Sequence, residues 1–202
     1  MQRCLWCHED IYEGRSLSEV LWKQDVLCGK CRHQWEVNHR KFKINGIEAY
    51  SPYIYNDAFA SCLIQYKECF DEALAPIFLC EQLTLFKWRY KGYTLIPIPS
   101  SYEKVRERGF SHVNKMFEMT GLPILDALEK VKDESQKEKG MKERKKMEEG
   151  IRLKEGIIWP KKILLLDDVC TTGSSLRGAL RVVKGKRKIK IFTVAVTSMN
   201  FR

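Results

Sequence analysis

Two adjacent acids followed by a run of small hydroxyl residues hold the most chemistry in this 202-residue chain. Asp167 and Asp168 close a short apolar run, Ile163 to Leu166, and lead into Thr171, Thr172, Gly173, Ser174 and Ser175. An uninterrupted aliphatic run of that length predicts a strand buried on both faces. Leu176, Ala179, Leu180 and Val183 then recur at helical spacing. Small hydroxyl residues and a glycine at a helix start predict a phosphate cradle. The first backbone N–H groups there lack partners, and the positive end of the helix dipole points at the anion. Two carboxylates at the strand tip suit a polyhydroxylated, metal-bound group beside that phosphate. The bland alternative is a capped helix with two acids near its positive end. Neither GxxxxGK[ST] nor GxGxxG occurs, which argues against P-loop and dinucleotide sites. Cys170, inside the turn, reads as a tolerated small residue rather than a nucleophile.

A second constellation lies near the start of the chain. Cys4 and Cys7 form one CxxC pair, Cys28 and Cys31 another, with twenty residues between them. Paired thiolates at this spacing predict a four-cysteine structural zinc site. So short a segment buries too little surface to fold alone, and metal binding would supply its folding energy. His8 and His33 flank the pairs and read as bystanders. Trp6, Trp22 and Trp35 fall in the same stretch. They read as its miniature core or as base-stacking rings, the core being favoured because such modules have little else to pack. Cys62, Cys69 and Cys80 have no paired spacing.

The elements that must position these groups follow from pattern. Residues 39–43 read as a basic connector, which divides the chain into a zinc-binding module, 1–45, and a second domain, 46–202. From Ile47 the pattern turns β-rich. Residues 58–64 and 74–85 show helical spacing, and residues 93–98 form a probable strand running into Pro99, Ser100 and Ser101. A helix is expected from about Ser111 to Met119, and a last strand over 189–196. Alternating strands and helices predict an α/β fold with a doubly wound parallel sheet. Residues 130–149 contain no aromatic side chain. They read as a solvated helix or loop, or as a mobile lid, and the two readings are compatible.

At 44% hydrophobic and 31% charged residues, the chain is neither disordered nor membrane-embedded. No run approaches the length of a membrane span, and the first residues contain no signal-like apolar segment. An intracellular protein with reduced thiols is therefore expected. The net charge of +10 implies attraction to polyanions. Arg181, Lys184, Lys186, Arg187, Lys188 and Lys190 place six cations in ten residues with no acid among them. That cluster reads equally as a DNA contact or as a solvated helix end favoured by the dipole.

The acids and the TTG turn resemble the phosphoribosyl-pyrophosphate (PRPP) motif of type I phosphoribosyltransferases. In that motif two adjacent acids hold the ribose 2′- and 3′-hydroxyls and the turn holds the 5′-phosphate. The chain as a whole resembles the ComF family. Cys4, Cys7, Cys28 and Cys31 match its knuckle pair, and residues 66–71 match a tyrosine–lysine stretch before a helix. Pro97-Ile98-Pro99 and Arg106-Glu107-Arg108-Gly109-Phe110 match its PxP and RxRGF segments, and Gln136 and Arg144 echo its lid. Ser111-His112 stands where the family usually has Asn-Gln, and Met147 where an asparagine often follows the lid arginine.

The resemblance implies a type I phosphoribosyltransferase-like sheet with a small N-terminal zinc module. It implies a PRPP site with Mg²⁺, in which Asp167 and Asp168 hold the ribose and residues 171–175 the 5′-phosphate. Ser100, Ser101, Arg106 and Arg108 would then face the pyrophosphate. It further implies a cytoplasmic factor for importing single-stranded DNA in natural transformation, working at the inner face of the membrane with a helicase-like partner encoded nearby, and tips the 181–190 cluster toward DNA. The alternative is an active phosphoribosyltransferase with a nucleobase-like acceptor. Base recognition in such enzymes needs a hood beyond the sheet, and only six residues follow the last expected strand; the zinc module is one candidate for that role, which the sequence leaves open.

Overall fold

The computed structural model describes residues 2–11, 26–131, 150–183 and 187–198. Seven strands occur among them: β1 (Val37–Ile44), β2 (Ile47–Ile54), β3 (Thr94–Pro97), β4 (Leu128–Lys130), β5 (Ile151–Leu153), β6 (Lys162–Cys170) and β7 (Lys188–Val196). The helices are α1 (Gly29–His33), α2 (Asp57–Glu68), α3 (Leu83–Arg89), α4 (Tyr102–Arg108), α5 (His112–Glu118) and α6 (Ser174–Val182). The main sheet has the order β1-β2-β7-β6-β3. All its pairings are parallel except β1 with β2. This is the expected phosphoribosyltransferase-like, doubly wound α/β sheet, with a small cysteine module preceding β1 in the chain.

Strand alternation explains the two cores. Successive side chains point to opposite faces. Leu164, Leu166, Phe192 and Val194 pack with Tyr53, Tyr66, Phe78, Phe86 and Phe117 on one side. Ile163, Leu165 and Ile191 pack against Leu176, Ala179 and Val183 on the other. With both faces covered, the central strands read as continuous apolar runs.

Two segments differ from their sequence patterns. The basic connector is strand β1: Lys41 and Lys43 are exposed while Phe42 and Ile44 between them are buried, a period of two that the charges obscure. The turn after β1 holds residues 45 and 46, where the division between module and domain was expected, so β1 is hydrogen-bonded into the main sheet. Residues 74–85 do not form one helix. A 3-10 segment, Glu72–Phe78, contains Pro76, and α3 begins only at Leu83. Proline lacks an N–H and clashes with the preceding turn, so the helix cannot run through.

Candidate functional site

Strand β6 carries its acids to the C-terminal edge of the sheet, where ligands of parallel α/β sheets bind. The chain then turns through residues 171–173 into α6. Gly173 has φ +74°, and a Cβ there would lie 3.3 Å from the Ile44 Cδ1 atom, so both conformation and space call for glycine. The turn is braced from behind: the Arg177 guanidinium donates to the Thr172 carbonyl (2.8 Å) and the Thr197 hydroxyl to the Thr171 carbonyl (3.3 Å). Thr171 and Thr172 are exposed.

Beside the acids lies a cleft of about 210 Å³, lined by Lys67, Ser100, Lys104, Arg108, His112, Asp167, Asp168 and Ser175 among others. Asp168 is its hub. Its Oδ2 accepts from the Lys67 ammonium at 2.6 Å and lies 3.2 Å from His112 Nε2, while Oδ1 accepts from the Val169 amide at 2.7 Å. Burial alone would push the Asp168 carboxyl upward. The His112 hydrogen bond and the Lys67 charge overcome it and hold the group well below the usual carboxylate range. Asp167 goes the other way: burial and the neighbouring Asp168 charge raise it well above that range. Its Oδ1 accepts from the Asp168 amide at 3.0 Å.

His112 links this hub to the RxRGF segment. Burial lowers its pKa despite Asp168, which favours the neutral ring. Arg108 Nη1 lies 3.1 Å from His112 Nδ1. Arginine is always a donor, so Nδ1 accepts and the proton sits on Nε2, facing Asp168. Arg108 is itself buried, its Nε donating to the Lys67 carbonyl at 2.7 Å. Ser100 Oγ lies 3.1 Å from the same His112 nitrogen. Tyr66 closes the web by donating from its hydroxyl to the His112 carbonyl at 2.7 Å.

The four cysteines meet as their spacing predicts: the sulfurs of Cys4, Cys7, Cys28 and Cys31 all lie within 4.8 Å of one another. Zinc–thiolate bonds of about 2.3 Å put tetrahedral corners about 3.8 Å apart, and Cys7 and Cys28 are separated by 3.6 Å. The donor set therefore fits a structural zinc ion. Cys28 caps α1, its sulfur accepting from the Cys31 amide at 3.5 Å. His8 and His33 are exposed and outside the cluster. Trp35 is buried, 4.9 Å from Phe59 and 5.2 Å from Tyr53 between ring centroids. The module thus shares the main domain's core, and Trp6 packs on Trp35 at 6.0 Å.

Across 154 residues the chain is 32% identical to the competence protein ComFC of Streptococcus pneumoniae, a match covering 74% of this chain and 68% of that protein. The chain belongs to the ComFC competence family. ComFC of Bacillus subtilis is 31% identical over 140 residues, covering 68% of the chain and 58% of that relative. No family model matches the sequence. Among the described residues, no helix of this ComFC-family chain is long and apolar enough to cross a membrane.

Of the residues expected around a pyrophosphate, Ser100, Ser101 and Arg108 line the cleft. Arg106 is exposed and outside its lining. Gln136 and Arg144 of the expected lid, with Trp22, Lys184 and Lys186, lie outside the described residues. Strands β4 and β5, which flank residues 132–149, pair with each other, and Lys130 at the end of β4 lines the cleft. Of the basic cluster, Arg181 is at the end of α6 and Lys188 and Lys190 are in β7, at the edge opposite the acids. Arg187 lies over the Trp159 ring at 5.4 Å. Lys67 and His112 are the site residues that motif reading missed. Lys67 lies within the tyrosine–lysine stretch that carried the family resemblance, without a site role assigned to it, and His112 follows the RxRGF segment at a position where the chain departs from the family.

Proposed function

We propose that this ComFC-family chain serves DNA uptake in natural transformation, binding single-stranded DNA and carrying a PRPP–Mg²⁺ pocket at the acid pair. The observation that carries the pocket is one arrangement: two acids at the C-terminal end of β6, a glycine turn with φ +74° into α6, and a cation-lined cleft beside them. The Thr171–Thr172–Gly173–Ser174–Ser175 turn would receive the 5′-phosphate at the start of α6. Asp167 and Asp168 would receive the ribose hydroxyls. Mg²⁺ would supply charge neutralisation for the pyrophosphate, bound mainly through phosphate oxygens and one or two carboxylates. Both Asp168 oxygens already have protein partners, so Asp167, whose raised pKa the ion's charge would bring down, would be the better placed ligand unless Lys67 swings away. Lys67, Lys104 and Arg108 surround the space where a pyrophosphate would lie.

For the DNA, the net charge of +10 and the Arg181, Arg187, Lys188 and Lys190 cations support a polyanion surface away from the pocket. Lys184 and Lys186 belong to the same proposal. A helicase-like partner and a cytoplasmic position at the uptake machinery complete it. A division into module 1–45 and domain 46–202 would leave the zinc site as structural support.

The cation lining of the cleft also favours a second reading, an active phosphoribosyltransferase. Lys67, Lys104 and Arg108 line it and would stabilise a departing pyrophosphate by fixed charge, without a nucleophilic side chain. Titration with PRPP–Mg²⁺ and with a single-stranded oligonucleotide, separately and together, tests the first reading. Both should bind, and neither should displace the other. Absence of PRPP heat overturns the pocket, and absence of oligonucleotide binding overturns the DNA role. Pyrophosphate release in the presence of nucleobases would select the enzyme.

A further inference from the structure

The opposite edge of the sheet holds a second cleft, of about 490 Å³, lined by Lys41, Lys43, Arg89 and Lys190 together with Tyr50 and Glu48. It arises from strand register. Lys41 faces Tyr50 and Lys43 faces Glu48 across β1–β2, and Tyr50 faces Phe192 across β2–β7. Residues two apart share a face. Lys41, Lys43, Glu48, Lys188 and Lys190 therefore stand on the face that Phe192 presents to Phe86 of α3, whose ring meets it at 4.8 Å. Lys162 pairs with Lys188 on the next strand and continues the row. Toward the acids this face is covered by aromatic rings. Toward this edge α3 ends at Arg89, and lysines take the positions that apolar residues hold further along.

The cleft has one acid in its lining, Glu48, which pairs with Lys190 at 3.2 Å. Arg89 gives it a second property. Its guanidinium carbon lies 4.6 Å from the centroid of the Tyr50 ring, and the Tyr50 hydroxyl is fixed by His39 Nδ1 at 2.7 Å. A planar cation held over a tethered ring offers a nucleobase a stacking partner.

We propose that this cleft binds single-stranded nucleic acid, with Lys41, Lys43 and Lys190 on backbone phosphates and Arg89, seated on Tyr50, stacked on a base. This rests on the reading of the chain as a DNA-binding protein, and it moves the centre of contact from α6 to β1 and α3. The cleft volume is in the range of small-ligand pockets and admits one nucleotide unit. A duplex keeps its bases stacked inside and offers none to Arg89. An acidic peptide would use the lysines but leave the stacking surface idle.

Fluorescence polarisation with a labelled single-stranded oligonucleotide and a matched abasic strand tests the proposal. Lys41→Gln with Lys43→Gln changes exposed side chains and should leave the melting temperature unchanged. Its affinity should fall at least tenfold, and its salt dependence should flatten by about 1.4 in log–log slope, roughly 0.7 for each of two phosphates. Arg89→Lys should keep the slope but lose the preference for the base-bearing strand over the abasic one. Wild-type binding with both variants unchanged overturns the cleft while leaving the DNA role intact. A wild-type protein that binds no oligonucleotide at low salt overturns both. Equal affinity for a duplex of the same length, or equal competition by polyglutamate, overturns the single-strand assignment.

Discussion

The two edges of the parallel sheet are built from the same strands and treat charge in opposite ways. At the C-terminal edge the acids are held in a closed web: Asp168 is buried and engaged by Lys67, His112 and a backbone amide. At the N-terminal edge Lys41, Lys43 and Lys188 are exposed, and Glu48 is the one acid lining the cleft that Lys41 and Lys43 share with Lys190. A buried charge costs several kcal/mol unless partnered, so the first edge tolerates few changes of residue type. Exposed lysines cost little, so the second can accumulate them. The first edge therefore suits recognition by geometry and the second recognition by charge density. Salt should distinguish them, since it screens exposed charges far more than buried pairs.

Independence of the two edges meets its most severe test at the zinc module, because Cys4, Cys28, Cys31 and Trp35 belong to the core cluster that also holds Tyr50 of the lysine cleft and Tyr66 of the acid web. One zinc per chain is expected, and Cys28→Ser should release it. Structural zinc contributes on the order of 10 kcal/mol to such modules, so melting temperature should collapse and both ligands be lost together. Metal analysis finding one tightly held zinc in the variant would refute the assignment. Next in size, Asp167→Asn with Asp168→Asn should weaken PRPP–Mg²⁺ binding at least 100-fold, about 2.7 kcal/mol, and leave oligonucleotide affinity unchanged. Calorimetry showing unaltered PRPP affinity would break the comparison at its acid end.

Two further effects concern stability. Lys67→Met leaves the Asp168 charge buried with one partner fewer, at a cost of about 3 kcal/mol at neutral pH. Because the Asp168 pKa is depressed in the fold, its ion pair stabilises above the unfolded value of about 3.9 and that contribution is lost as pH falls further. Urea unfolding should therefore show the gap between variant and wild type closing in acid; a constant gap would assign Lys67 a packing role instead. The smallest effect belongs to His112. Burial lowers its pKa, so between that lowered value and about 6.5 the unfolded chain binds a proton that the folded chain refuses. Stability should fall with pH through this window. His112→Gln should flatten the slope, by about 1 kcal/mol between pH 7.5 and 5.5, and identical slopes would remove His112 from the account.

What the sequence discloses follows the range of the interactions. Strand β6, its acids and the glycine turn are contiguous, so apolar run, charge and φ requirement appear together in one stretch. The cysteine cluster is nearly as legible, because two short spacings fix two turns. Lys67 is invisible in this sense, since it reaches Asp168 across 101 positions. His112 resembles any helix-start polar residue until the sheet brings Asp168 to its Nε2. β1 was obscured differently: its alternation was present in Lys41, Phe42, Lys43 and Ile44, but the charge density suggested a linker. Pro76 is the opposite lesson, a single residue that marks the broken helix plainly.

The placement of β7 has a consequence for how the molecule is made. It follows every other described strand, yet it lies in the middle of the sheet, pairing β2 at Ala49–Ile191 and β6 along nearly its whole length. Until it arrives, β2 and β6 present unpaired hydrogen-bonding edges that any neighbouring chain can match. Closing pairs this distant in sequence is slow. During synthesis the two halves of the sheet must therefore wait apart. A chain stopped before residue 187 would be two sticky ribbons rather than a shorter protein, prone to aggregation whatever its active residues.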